Sequence, residues 1–237
     1  MSMDTPYLTL VNRAHPLARR PAPEELVPAL PGFPGVLLLR PAARALRALL
    51  ADIGAGEAIV PVSGWRSREE QEALWEGSLR DHGLAFTETY VARPGCSEHE
   101  TGLAIDLAEA ADEIDFIRPA FPYDGVCGAF RRAAARYGFV ERYRADKTAQ
   151  TGIAAEPWHF RYVGVPHALL MEQRGLCLEE YLDLLAELPL TCRLENGRLA
   201  RVAHFAAGQA LPPAQWPRQV SADNAGGVIV TDWEAAV

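Results

Sequence analysis

The chain has 237 residues, 49% hydrophobic and 23% charged, which is enough for one sizeable core. Its formal net charge of -8 excludes a general nucleic-acid binder, which needs a basic face to neutralise phosphates, and disfavours adhesion to anionic membranes. Cys96, Cys127, Cys177 and Cys192 form neither a C-x-x-C pair nor a dense disulfide framework, so free thiols in a reducing cytosol are expected. No run approaches the length of a transmembrane helix. The first residues, Met1-Ser2-Met3-Asp4-Thr5-Pro6, lack the basic and apolar regions of a signal peptide, which leads to the expectation of a cytoplasmic protein.

In chain order, residues 7–11 are an apolar run that predicts a strand. Residues 16–35 carry Pro16, Pro21, Pro23, Pro28, Pro31 and Pro34, a density that predicts an extended wrap without regular elements. After Pro41, Leu46, Leu49, Leu50 and Ile53 recur at helical spacing, and Gly54 is a fitting stop. Residues 58–65 read as a strand. Ser67 and Glu70 match a capping box opening a helix with Gln71, Leu74, Trp75 and Ser78 on one face. Residues 87–91 read as a strand.

Leu103, Ile105 and Leu107 then alternate with Ala104, Asp106 and Ala108, a strand with one apolar face and one face of small residues around a carboxylate. An acidic loop (Glu109, Asp112, Glu113, Asp115) follows. Phe130, Ala133, Ala134 and Tyr137 mark a helix ended by Gly138. A strand is expected over 158–163, then helices near 166–174 and 178–185. Asn196-Gly197 signals a hairpin with a type I′ turn, and 228–231 reads as a further strand. Helices and strands mix without a βαβα rhythm, so the predicted class is α+β: an antiparallel sheet carries the site, helices pack around it, and a small C-terminal β extension follows. The expected division is 1–188 and 189–237.

The chemistry centres on residues 97–106. His99 and Asp106 flank Gly102, and a turn there brings both side chains to one point. Both are ligands for a divalent cation such as zinc, and His159 is the best candidate for a third. Three protein ligands with one open position are the pattern of catalytic zinc, which makes water ionisable near neutral pH. Glu156, three residues before His159, is placed as general base and acid. In a regular strand these two would face opposite sides, so the assignment requires an irregularity near Pro157, with Glu156 in the turn before the strand. His15, His82, His167 and His204 read as hydrogen-bonded core or surface groups. Glu98 and Glu100 read as solvated charges, Trp158 and Phe160 as core, and Cys96 as packing.

Ser97-x-His99-x-x-Gly102-x-Ala104-x-Asp106, followed by Glu156-x-x-His159, resembles the zinc D-alanyl-D-alanine peptidases of the VanY/VanX type. Ser63-Gly64-Trp65-Arg66-Ser67 with Gln71, Pro94-Gly95-Cys96, Thr151-Gly152-Ile153 and Leu10-Val11-Asn12 are also similar to VanY and bifunctional VanXY members. The resemblance covers roughly residues 7–187. It implies that one zinc ion is held by His99, Asp106 and His159, that Glu156 is base and then acid, and that Arg66 polarises the scissile carbonyl. It implies further that Ser97 and Gln71 help bind a D-Ala-D-Ala-terminated peptide or dipeptide. Ala155 and Arg144 depart from the family pattern, where an aromatic residue and a proline are common. Two other readings stay open: a non-catalytic zinc-stabilised binding module of hedgehog-like fold, and a cell-wall endopeptidase of the same family. Glu156 and Arg66 together disfavour the first; the lack of an export signal and of a basic wall-binding tail disfavours the second.

Overall fold

The computed structural model describes residues 2–224 and 226–234; residues 1, 225 and 235–237 of the two expected segments lie outside the described residues. Strand β1 (Ser2–Asp4) comes first. The strand expected at 7–11 does not form. Those residues lie in turn and coil, where the Leu8 N–H donates to Ser221 Oγ at 3.0 Å and the Leu10 N–H to the Asp223 carbonyl at 3.0 Å. The proline-rich wrap does contain regular structure. β2 (Leu26–Pro28) pairs antiparallel with β3 (Leu37–Leu39), with Pro28 at a strand end where its missing N–H is tolerated.

Helix α1 (Arg40–Asp52) has proline in its first turn and buries Leu46, Leu49 and Leu50 in the first core. β4 (Ile59–Ser63) leads to α2 (Arg68–His82), whose capping box is complete: Ser67 Oγ accepts from the Glu70 N–H at 3.1 Å, and Glu70 accepts from the Ser67 N–H at 2.7 Å. Of the four residues placed on one face, Gln71 alone is buried and Leu74 is exposed. Residues 87–91 correct the expected strand: α3 (Leu84–Tyr90) is helical through Tyr90. Phe86 stacks on His82 and Tyr90, four residues to either side, at 4.6 and 4.7 Å, and Thr87 Oγ1 bonds to Ser78 Oγ and the Gly83 carbonyl. These helical-spacing contacts outweigh the β propensity of Thr, Tyr and Val.

β5 (Ala104–Glu109), α4 (Gly125–Ala134), β6 (Phe139–Tyr143), α5 (Thr148–Thr151) and β7 (Glu156–Tyr162) complete the first half. The first sheet has strand order β4-β5-β7-β6, antiparallel throughout. Ile105 pairs with Phe160 on the face packed against α1 and α4, and Asp106 pairs with His159 on the opposite face.

α6 (His167–Arg174) and α7 (Leu178–Glu187) precede β8 (Leu190–Arg193), β9 (Leu199–Ala206), β10 (Arg218–Ala222) and β11 (Gly227–Glu234). The second sheet has order β1-β10-β11-β9-β8, with β1 parallel to β10. A second core joins this sheet to α6 and α7 through Met171, Leu178, Tyr181, Val202 and Ile229. The β8–β9 turn is not type I′. Gly197 has φ 79, Asn196 is not among the positive-φ residues, and the Gly197 N–H donates to the Leu194 carbonyl at 2.9 Å, a type I turn closed by a glycine bulge. Among the described residues no helix is long and apolar enough to cross a membrane.

Candidate metal and catalytic site

Gly102 ends a 3-10 turn, Glu98–Thr101, in the left-handed region at φ 69, and a Cβ there would meet Leu26 Cδ2 at 3.0 Å and Leu39 Cγ at 3.2 Å. The reversal brings His99 Nε2 to 3.2 Å from Asp106 Oδ2. The β5–β7 register places His159 Nδ1 3.0 Å from Asp106 Oδ1. One ligand atom from each of His99, Asp106 and His159 lies within 4.8 Å of the others, and all three residues are buried.

The donor chemistry fits a divalent cation. His99 Nδ1 lies 2.7 Å from the Gly64 carbonyl, which can only accept, so the ring hydrogen sits on Nδ1 and the Nε2 lone pair faces Asp106. Burial holds His99 below its ordinary pKa, with Asp106 opposing. Burial would raise the Asp106 pKa, yet His99 and His159 hold it well below the usual carboxylate range. Burial would lower that of His159, but hydrogen bonds to Asp106 and Glu98 raise it to about 10. Two imidazole nitrogens and a carboxylate oxygen, open to a cleft, are the ligand set of a catalytic zinc site.

The irregularity that Glu156 requires is present, though in the ladder and not in a preceding turn. Glu141 pairs with Phe160 and Tyr143 with Glu156, so β7 advances four residues while β6 advances two. Glu156, the first residue of β7, thereby lies on the His159 side, with Oε2 3.7 Å from His159 Nδ1. Burial, reinforced by Asp106 and Glu98, raises its pKa to about 8, with His159 and Arg66 opposing.

Arg66 enters from the β4–α2 connection. Its Nη1 donates to Gln71 Oε1 at 2.6 Å and its Nη2 to Ser63 Oγ at 2.9 Å, while its backbone N–H donates to the His99 carbonyl at 3.3 Å. Gln71 in turn donates from Nε2 to the Ala92 carbonyl at 2.7 Å. Ser97 is buried and lines the same cleft as the metal ligands, Glu156, Arg66 and Gln71. The cleft holds about 330 Å³. Phe86 and Tyr90 of α3, Trp158 and the exposed Phe116 form its walls.

Two residues at this site escaped the sequence reading. Tyr143 packs its ring 4.8 Å from that of His159 and lines the cleft. Glu98, expected to be solvated, is buried: its Oε1 accepts from Arg142 Nε at 2.8 Å, and its Oε2 lies 3.4 Å from His159 Nε2. Arg161 Nη1 approaches Glu98 Oε1 at 3.0 Å without an in-line hydrogen bond, while Arg161 Nη2 donates to the Thr9 carbonyl at 3.0 Å. Glu100 is buried as well, accepting from Arg20 Nε and Nη2 at 2.9 and 2.7 Å and from the Gly95 N–H at 2.6 Å. Both glutamates are solvent-free because arginines distant in sequence neutralise them. The available signal was Arg142 and Arg161 inside strands flanked by aromatic residues, since a buried arginine requires a carboxylate.

Residues 36–165 match the VanY family model, D-alanyl-D-alanine carboxypeptidase. The chain is 42% identical over 181 residues to the bifunctional D-Ala-D-Ala dipeptidase and D-Ala-D-Ala carboxypeptidase VanXYC of Enterococcus gallinarum, across 76% of this chain and 95% of that protein. Its structure is similar to that of the vancomycin resistance D,D-dipeptidase VanXYg in complex with a D-Ala-D-Ala phosphinate analog: TM-score 0.93 and 44% identity, covering 97% of this chain and 94% of that one. It is also similar to a variant of the vancomycin resistance D,D-pentapeptidase VanY in complex with Zn(II): TM-score 0.60 and 32% identity, covering 74% of this chain and 98% of that one. The chain belongs to the VanY D-alanyl-D-alanine carboxypeptidase family.

Proposed function

We propose that the protein is a zinc-dependent peptidase, using one zinc ion, that hydrolyses the D-Ala-D-Ala bond of peptidoglycan-precursor peptides, of the free dipeptide, or of both. The observation that carries this reading is the convergence of a half-buried base, Glu156, and a fixed cation, Arg66, on the same cleft that holds His99, Asp106 and His159. A binding module needs neither group. The activities of VanXYC and VanXYg, and the Zn(II) complex of VanY, support the same reading.

His99 through Nε2, Asp106, and His159 through Nδ1 would hold the zinc. Bound there, the ion supplies Lewis acidity, polarising a carbonyl and bringing the pKa of water toward about 7. Glu156 takes a proton from the attacking water and returns it to the leaving amine. Arg66, aimed by Ser63 and Gln71, stabilises negative charge developing on the scissile carbonyl oxygen. Ser97 offers its hydroxyl to the substrate peptide, and Gln71 serves substrate binding by orienting Arg66. We also propose a division of the chain at 188/189, with the site in the first segment and a β-rich extension in the second.

The test is D-alanine release from free D-Ala-D-Ala and from a stem pentapeptide, with added zinc and with chelator. Zinc-dependent release from either substrate supports the reading. A protein loaded with one zinc that releases nothing from both would overturn it.

A further inference from the structure

We infer that Glu98 is a positioning residue for the metal centre and that α7 reaches this centre through a chain of charged groups, Glu179–Arg142–Glu98–His159, buried from Arg142 inward. The inference rests on the proposed zinc site. An imidazole that offers its Nδ1 lone pair must carry its hydrogen on Nε2, and the group facing His159 Nε2 is the Glu98 carboxylate. A carboxylate acceptor there fixes the tautomer, fixes the ring plane and makes the ring a stronger donor. His99 achieves its tautomer with the neutral Gly64 carbonyl, so the negative charge behind the ligands is supplied at His159 alone of the two rings.

That charge is held by a closed set of partners. Arg142 gives Nε to Glu98 and turns its other edge to Glu179 in the first turn of α7: Nη1 donates to Oε2 at 2.8 Å and Nη2 to Oε1 at 2.6 Å. Arg161 is the second cation at Glu98. Glu98, Glu179, Arg142 and Arg161 are formally neutral together. Without the Glu179 charge, the set becomes net positive beside a site that must accept a cation. Arg142 is then released to close its fork on Glu98 and draw the carboxylate from His159. Both effects weaken metal binding, although Glu179 is not among the residues lining the cleft. Since α7 packs on β9, the second sheet is tied to the metal centre by the same chain.

The test is zinc affinity, measured on the purified full chain by competition with a chromophoric chelator, together with the visible absorption of the cobalt(II)-loaded protein. Wild type is compared with Glu98→Ala, Glu98→Gln and Glu179→Gln. Loss of an outer partner of a ligand weakens metal binding by about 10- to 100-fold, and that range is expected for Glu98→Ala, with a shifted cobalt spectrum. Glu98→Gln, which keeps an acceptor, should lose less, and Glu179→Gln about tenfold. If Glu98→Ala does not fold by circular dichroism, the two glutamine variants decide the matter. Zinc affinities of the folded variants within twofold of wild type overturn the inference. A wild-type protein that binds no zinc overturns the site reading itself and is a distinct outcome.

Discussion

The Nδ1–H of His99 donates to the Gly64 carbonyl across 2.7 Å, and that carbonyl belongs to a residue that cannot gain a side chain without moving. A Cβ on Gly64 would sit 2.3 Å from the Leu37 carbonyl oxygen and 3.0 Å from Val36 Cγ1, so alanine must push the end of β4 away from β3. Gly64→Ala should therefore weaken zinc binding by about tenfold or more through loss of ligand orientation. Gly35→Ala, with nothing within 4 Å of its Cβ, is the control and should bind as wild type. Chelator competition checks both, and unchanged affinity in Gly64→Ala would remove the role given to this carbonyl.

Zinc uptake should release protons. The pKa of His159 is raised to about 10, so at pH 7.5 the ring carries a proton that the cation must displace. Below that pKa, each unit of rising pH should strengthen binding about tenfold per displaced proton. Titration calorimetry at pH 7.5 in buffers of different ionisation enthalpy counts the protons; at least one is expected, and a count of zero contradicts the arrangement.

Glu156→Gln should keep its zinc and fold while turnover falls about 10²- to 10⁴-fold, the usual loss for a general acid–base group. The paired measurements are metal content and steady-state rates. Loss of zinc in this variant would make Glu156 a ligand instead of a base.

Gln71→Met removes the acceptor that aims Arg66 at little change in volume. Hydrogen bonds to charged groups contribute about 1.5–3 kcal/mol, so a fall in kcat of about 10- to 100-fold is expected with zinc affinity intact. Arg66→Lys, which keeps the charge but loses the fork, should fall further. An effect of Gln71→Met on KM alone would place Gln71 against the substrate and not behind Arg66.

His167 should make the fold acid-sensitive away from the site. Its Nδ1 meets the Tyr181 hydroxyl at 2.8 Å and its Nε2 meets Thr231 Oγ1 at 3.1 Å, and burial pushes its pKa down to about 3. The folded value lies below the unfolded value near 6.5, so the full contribution is present above pH 6.5. As pH falls from 6.5 toward 3, the unfolded chain takes up a proton that the folded chain refuses, and stability drops by about 1.4 kcal/mol per unit. His167→Gln should flatten this part of the profile. Urea midpoints from pH 7.5 to 4.5 test it; parallel curves for wild type and variant would exclude His167 as the source.

What could be read from the sequence was what lies close in sequence. The capping box at Ser67 and Glu70, the glycine reversal between His99 and Asp106, and the apolar stripe of α1 each involve residues within a few turns of one another. Residue type made His159 the candidate third ligand and the resemblance strengthened it, but its register opposite Asp106 was not legible, because register between two strands is set by tertiary packing. Glu98 was misread for the same reason: its partners Arg142 and Arg161 arrive from β6 and β7, and nothing adjacent to Glu98 announces them. Residues 87–91 were misread because β-prone side chains found helical neighbours in Phe86 and Ser78.

The carbonyl of Thr9, which receives Arg161, belongs to a segment held in place by β10. Leu8 bonds to Ser221, 213 positions later, Leu10 to Asp223, and Thr9 Oγ1 to the Ala222 carbonyl. Residues 8–10 are thus fixed by partners in and just after β10. That segment supplies one acceptor of the Arg161 guanidinium, whose other edge lies beside Glu98. The surroundings of the metal centre therefore draw part of their order from the second sheet, through contacts between residues more than 200 positions apart.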